Sequence, residues 1–204
     1  MKLIFMGTPE FAVPILQSLQ EAGHDICAVV TQPDKPQGRK KTLLPPPVKI
    51  AAEELGIPVL QFAHIRNEES SAQLESLGAD AIITAAYGQI LSERNIHAAK
   101  LGVINAHASL LPQYRGPAPV NWGIIQGETE FGITTMHIDI GIDTGDMILS
   151  QGMPYQDGDT AGDVLEKLSA IAGPLVVQTL EQLQNGTAPR TKQDETQASY
   201  FPML

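Results

Sequence analysis

KLIFMGTPEFAVPILQSLQEAGHDICAVVT, residues 2–31, is the stretch that decides the fold. Lys2–Met6 is an apolar run of strand length, closed by Gly7-Thr8-Pro9. Thr8 suits a helix N-cap and Pro9 a first helical position. Phe11, Val13, Ile15, Leu16 and Leu19 then give a helix its apolar faces, Pro14 is expected to kink that helix or delay its start, and Gly23 to stop it. Asp25–Thr31 is a second strand. Strand, tight turn, helix and strand within thirty residues make a right-handed βαβ unit. The turn lacks the second and third glycines of G-x-G-x-x-G, which argues against a nicotinamide cofactor.

Outward from this unit, strands and helices keep alternating. Residues 32–47 (QPDKPQGRKKTLLPPP) form a long proline-rich connection. It and its border carry Lys35, Arg39, Lys40, Lys41 and Lys49 with no acid between them. Such a run is either a solvated surface loop or a finger that contacts phosphates. A helix is expected over 48–55, a strand over 58–60, and a helix over 67–77 capped by Asn67. A strand follows over 80–85, then a helical turn over 90–95. The apolar run Leu101-Gly102-Val103-Ile104 leads into a strand bearing Asn105 and His107. Residues 119–125 read as a helix with Trp122 against the sheet. Residues 131–138 alternate as a half-buried antiparallel strand, forming a hairpin with 147–150. Thr160-x-x-Asp163 opens a long helix like a capping box, Pro174 should bend it, and Asn185-Gly186 ends it. Residues 187–204 are polar and without period. This is one α/β domain built on a sheet.

Chemistry concentrates at INAHASLLPQYRGPAP, residues 104–119. Asn105 and His107, two apart, leave a strand on the same side. Histidine passes protons near neutral pH, and an amide NH2 beside it stabilises an oxyanion. An imidazole at work also needs a carboxylate, and the turn at 139–146 offers Asp139, Asp143 and Asp146. A histidine merely satisfied in the core accounts for His107 alone equally well. A metal site from His107, His137, Asp139 and Asp143 lacks any close ligand pair. Ser109 stands in H-A-S-L-L-P and not in a nucleophile elbow, and Cys27 has no adjacent base, so covalent catalysis is disfavoured.

The totals narrow the classes further. The chain has 204 residues, 43% of them hydrophobic, which allows a full core. Thirteen basic against twenty-three acidic residues give a net charge of −10. That favours solubility and opposes broad nonspecific binding to nucleic acid. A single cysteine rules out a disulfide framework, no run approaches the ~20 apolar residues of a membrane span, and the first six residues are too short for a secretory signal. A cytoplasmic protein is expected, without membrane attachment.

Four motifs, in order, carry a family resemblance: GTPEFAVP (7–14), AAYGQIL (85–91), INAHASLLPQYRGPAPV (104–120) and MHIDIGIDTGDMI (136–148). Together they resemble methionyl-tRNA formyltransferase, within the folate-dependent formyltransferase superfamily. The H-x-SLLP and D-x-G-x-DTGD pair marks the superfamily, and GTPEF with the PDKPQGRKK loop marks the tRNA branch. The resemblance implies a Rossmann-like formyltransferase fold, with a mostly parallel twisted sheet, helices on both faces and an antiparallel hairpin. It implies transfer of a formyl group from 10-formyltetrahydrofolate to the amine of initiator methionyl-tRNA in translation initiation, by a monomer without a metal. Asn105, His107 and Asp143 match the family's catalytic trio. Tyr87, Gly88, Gln89, Ile90 and Leu91, with Ser109, Leu110, Leu111, Pro112, Asp139 and Gly141, match its folate pocket. Arg39, Lys40 and Lys41 match the loop that reaches the tRNA. Gln113 and Ser92 depart from the family's usual arginine and proline. Residues 1–186 are expected to be the catalytic domain and 187–204 a linker or the cut end of it, with the family's C-terminal barrel domain absent. The rival readings are a sister formyltransferase acting on an amino sugar or other small amine, a formyltetrahydrofolate hydrolase, and a non-enzymatic folate- or tRNA-binding fragment.

Overall fold

The computed structural model describes residues 1–37 and 42–204. They fall into two compact units, Met1–Val103 and Ile104–Leu204.

In the first unit, β1 (Lys2–Gly7) leads through a short 3-10 turn (Glu10–Ala12) into α1 (Val13–Glu21) and back into β2 (Asp25–Thr31). A small hairpin, β3 (Lys35–Gln37) and β4 (Thr42–Leu44), precedes α2 (Pro47–Glu54), β5 (Val59–Gln61), α3 (Glu68–Ser76), β6 (Ala81–Ala85) and the one-turn α4 (Glu93–Ile96). β2 and β6 flank β1, β5 lies outside β2, and all three pairings are parallel. The chain thus winds outward from β1 to β5, then crosses back to the other side of β1. With right-handed crossovers, that reversal puts α1 and α2 on one face and α3 on the other. Leu3, Ile4, Phe5, Ile82 and Ile83 are fully buried between these layers, with Ile15, Leu16 and Leu19 of α1.

One expectation changes here and one of two alternatives for Pro14, the delayed helix start, is met. Thr8 does not cap a helix: its hydroxyl donates to the Tyr87 carbonyl at 2.8 Å and accepts from the Gln32 amide, so a tertiary partner outcompeted the local one. The α-helix starts later, with Pro14 in its first turn, where the missing N–H costs nothing. Asn67 does cap α3, accepting from the Ser70 amide at 2.8 Å.

The second unit comprises β7 (Val103–His107, its first residue being the last of unit one), α5 (Pro119–Gln126), β8 (Glu130–His137), β9 (Met147–Pro154) and α6 (Ala161–Asn185). β8 pairs antiparallel with both β7 and β9. Parallel strands with an added antiparallel hairpin are the α/β class expected. β8 is not half-buried as its alternation suggested. Phe131–Met136 are all buried, because Thr135 bonds Thr179 of α6 at 2.8 Å while Leu110 and α5 cover Gly132 and Phe131. Trp122 does not lie against the sheet either. Gly123 makes that approach, since a Cβ there would stand 2.6 Å from the Phe131 ring, and Trp122 turns away to stack on Phe201. The capping box of α6 is formed as expected, and Gly186 ends the helix at φ 70°. Pro174 lies within the helix on its exposed side.

Candidate active site

His107 is the last residue of β7, and Asn105 lies two residues earlier on the same side. His107 is 7% exposed. Its Nε2 stands 2.9 Å from the Tyr114 carbonyl, which can only accept, so this nitrogen carries a proton. Its Nδ1 faces Asp143 Oδ1 at 3.7 Å. That gap exceeds a direct hydrogen bond, so the two groups face each other without one. Of the three carboxylates the sequence offered, Asp143 is the one against the imidazole. Asp139 accepts from the Gly141 amide and the Thr144 hydroxyl within its own turn, and Asp146 pairs with Arg190.

The Asp143 carboxylate is fixed by its other oxygen, which accepts from the Gly116 amide at 2.8 Å. Its backbone lies at φ 53°, and Tyr114 lies at φ 57°. Non-glycine residues persist in that region only where the surroundings over-determine them, at about 1–3 kcal/mol each. The third such residue, Ala86 at φ 48°, follows β6. The strain sits in the loops that carry candidate functional groups. Asn105 is half-buried, and among the described residues its side-chain amide has no hydrogen-bond partner. Two N–H donors are therefore available beside the imidazole.

The remaining expected residues divide by unit. In the second, Ser109 spends its hydroxyl on the Gln113 carbonyl, Leu111 is buried with its amide on Thr134, and Leu110 packs on Gly132. Pro112 accepts from the Ser199 amide. Gly141 and Ile140 are exposed, Ile140 to 83%, so the 139–143 turn presents an uncovered apolar side chain. In the first unit, Gln89 bonds the Ile65 amide and the Phe62 carbonyl, Gly88 has φ 91° and Ile90 is 62% exposed, with Leu91 half-buried. Tyr87 is buried, and burial pushes its phenol up to about 12. Arg39, Lys40 and Lys41 lie outside the described residues.

The sequence reading did not find Tyr114, Gly116, Arg115 or Gln193, which surround the pair. Two act through backbone atoms, which leave no mark in side-chain type. A small recess of about 80 Å³ between the 108–114 loop and α5 is too small for a cofactor-sized ligand.

With this geometry in view, the match to the formyl transferase family model over residues 1–180 decides the family. The chain belongs to the formyl transferase family. Among curated relatives, the methionyl-tRNA formyltransferase of Geobacter metallireducens is 50% identical over 204 residues, covering 100% of this chain and 66% of the relative. That of Ruminiclostridium cellulolyticum is also 50% identical, covering 100% and 65%. The chain thus spans just under two thirds of these relatives. Among solved structures, an N-formyltransferase from Helicobacter canadensis in complex with folinic acid and dTDP-3-aminofucose superposes at a TM-score of 0.75 with 23% identity, covering 99% of this chain and 71% of that one. That likeness supports the fold expected for the family. The resemblance to methionyl-tRNA formyltransferases read from the four motifs is borne out by relatives of that name, 50% identical and covering 100% of this chain.

Proposed function

We propose that this formyl transferase chain moves a formyl group from 10-formyltetrahydrofolate to the free amine of initiator methionyl-tRNA, with Asn105, His107 and Asp143 as the catalytic residues. The observation that carries the reading is the His107–Asp143 pair at 3.7 Å with an unpartnered Asn105 amide beside it on the strand. The choice of tRNA rests on the two relatives named methionyl-tRNA formyltransferase at 50% identity. The sugar-directed structural neighbour stands at 23%.

Bound 10-formyltetrahydrofolate supplies an activated formyl carbon and a nitrogen leaving group. The rest is done by side chains. Asn105 donates its amide N–H to the formyl oxygen as negative charge gathers there. His107 takes the proton that the attacking amine loses and returns it to the departing nitrogen. Asp143 supports the imidazolium while it holds that proton. The burial of His107 keeps water from competing for it. No covalent bond to the protein is required. The exposed side chain of Ile140 and the backbone of the 139–143 turn suit a flat heteroaromatic ring, which needs apolar walls and a few fixed polar groups. In the first unit, Gly88 and Ile90 offer the same chemistry. Arg39, with Lys40 and Lys41, would meet the tRNA phosphates.

His107→Ala and Asp143→Ala are expected to abolish formyl transfer while keeping the parent's circular dichroism. Turnover retained by a folded His107→Ala protein would remove the assignment.

A further inference from the structure

Residues 191–202 have no regular structure, yet they bind the second unit closely. Thr191 and Met147 exchange both backbone hydrogen bonds, at 2.8 and 2.9 Å. Ser199 holds the 112–115 loop three times: its carbonyl takes the Arg115 amide, its amide meets the Pro112 carbonyl, and its hydroxyl takes the Tyr114 amide. The Phe201 ring stacks between Tyr114 and Trp122, with centroids 5.0 Å away in each case. Gly116 allows this approach, since a Cβ there would stand 2.2 Å from the Phe201 carbonyl oxygen.

Gln193 lies at the middle of this strap and is 9% exposed. Its Nε2 donates to the Asp143 and Gly145 carbonyls, each at 2.8 Å, and its Oε1 accepts from Arg115 Nε at 2.9 Å. Both donors and the acceptor are thus used. Arg115 is itself buried and pairs through its other nitrogens with Glu195. One amide therefore joins the two segments that meet at His107. The 114–116 segment gives the Tyr114 carbonyl to Nε2 and the Gly116 amide to the carboxylate, and the 143–145 segment gives the carboxylate itself.

We propose that Gln193 is a positioning residue for the reaction, holding Asp143 in its left-handed conformation against His107. This inference rests on the formyl-transfer reading. Gln193 is not a catalytic residue, because its amide is spent and buried. Its role answers the strain at Asp143 and Tyr114, which needs several fixed partners to persist. The segment is thus part of the site's support, although its sequence carries no period.

Two variants test this. Gln193→Met keeps length and burial and removes all three hydrogen bonds. Gln193→Glu keeps the acceptor for Arg115 and removes only the donors, so it carries the test if Gln193→Met does not fold. In both, kcat should fall on the order of tenfold to hundredfold, with KM for each substrate within about twofold, as for a misplaced reacting group. The assigned amide proton of Gly116 is expected downfield in the parent, because it donates to the Asp143 carboxylate, and should move upfield in the variants. A Gly116 resonance unmoved in both variants overturns the proposal, as does an unchanged kcat with a shifted resonance. The resonance is read without turnover. An inactive parent whose Gly116 signal still responds to Gln193 would therefore count against the formyl-transfer reading and not against the positioning.

Discussion

Asp143 meets two demands with one side chain. One oxygen faces the His107 Nδ1 and the other is fixed by the Gly116 amide, while the backbone stays at φ 53°. Asparagine tolerates that backbone at least as well as aspartate, so Asp143→Asn should fold normally and lose the charge alone. A loss in kcat of about 10²–10⁴-fold is expected, the range for a positioned acid–base group, with little change in KM. Steady-state kinetics on the two variants Asp143→Asn and Asn105→Ala check this. Asn105→Ala should lose about 10²–10³-fold, as an oxyanion donor does. The pairing of Asn105 and His107 was legible from their spacing in a strand. The partner carboxylate was legible only through the family resemblance, since Asp139, Asp143 and Asp146 are chemically alike and only the path of the turn separates them. The Tyr114 carbonyl and Gly116 amide were beyond reach of any reading of side chains.

At the scale of elements, the turn between β8 and β9 depends on a close approach. A Cβ on Gly145 would stand 1.8 Å from the His137 carbonyl oxygen. Gly145→Ala should therefore destabilise the protein by about 1–3 kcal/mol, as overpacking does. It should also lower kcat by displacing Asp143, and thermal melts with kinetics test both parts. The start of α6 gives a pH-dependent prediction. The Thr160 hydroxyl, then its amide, hold the Asp163 carboxyl below its ordinary value. A depressed carboxylate stabilises fully above its unfolded pKa and ceases to as pH falls through the folded one. Asp163→Ala should thus lower Tm at pH 7, and the difference should shrink as pH falls below the ordinary Asp value of about 3.9. This box, the βαβ unit and the α6 stripe were legible because each is a local pattern. Thr8, Trp122 and β8 were misjudged because distant partners decide them: Tyr87 for Thr8, Phe201 for Trp122, α6 for β8. Residues 191–202 bind mostly through backbone atoms and single polar contacts, which produce no periodicity to read.

For the whole molecule, charge is the property that matters most. A net charge of −10 repels nucleic acid at large, so the tRNA recognition proposed for this chain would be local. The basic run at 35–41 is a candidate for it, and its described flanks, β3 and β4, pair antiparallel and expose Leu43 and Leu44. Arg39→Ala should weaken apparent tRNA affinity and reduce the slope of log affinity against log salt by about one, without changing KM for the folate. Measurement of KM for tRNA across salt concentrations tests this. No helix among the described residues is long and apolar enough to cross a membrane.

One assay reads the identity of donor and acceptor directly. The chain is supplied with 10-formyltetrahydrofolate and either charged initiator tRNA or a nucleotide-linked amino sugar, and free formate is measured alongside. The expected product is formyl-methionyl-tRNA, with no formylated sugar and no release of formate above the rate seen with His107→Ala. Formylation of the sugar in preference to the tRNA, or formate as the main product, would contradict the proposed function.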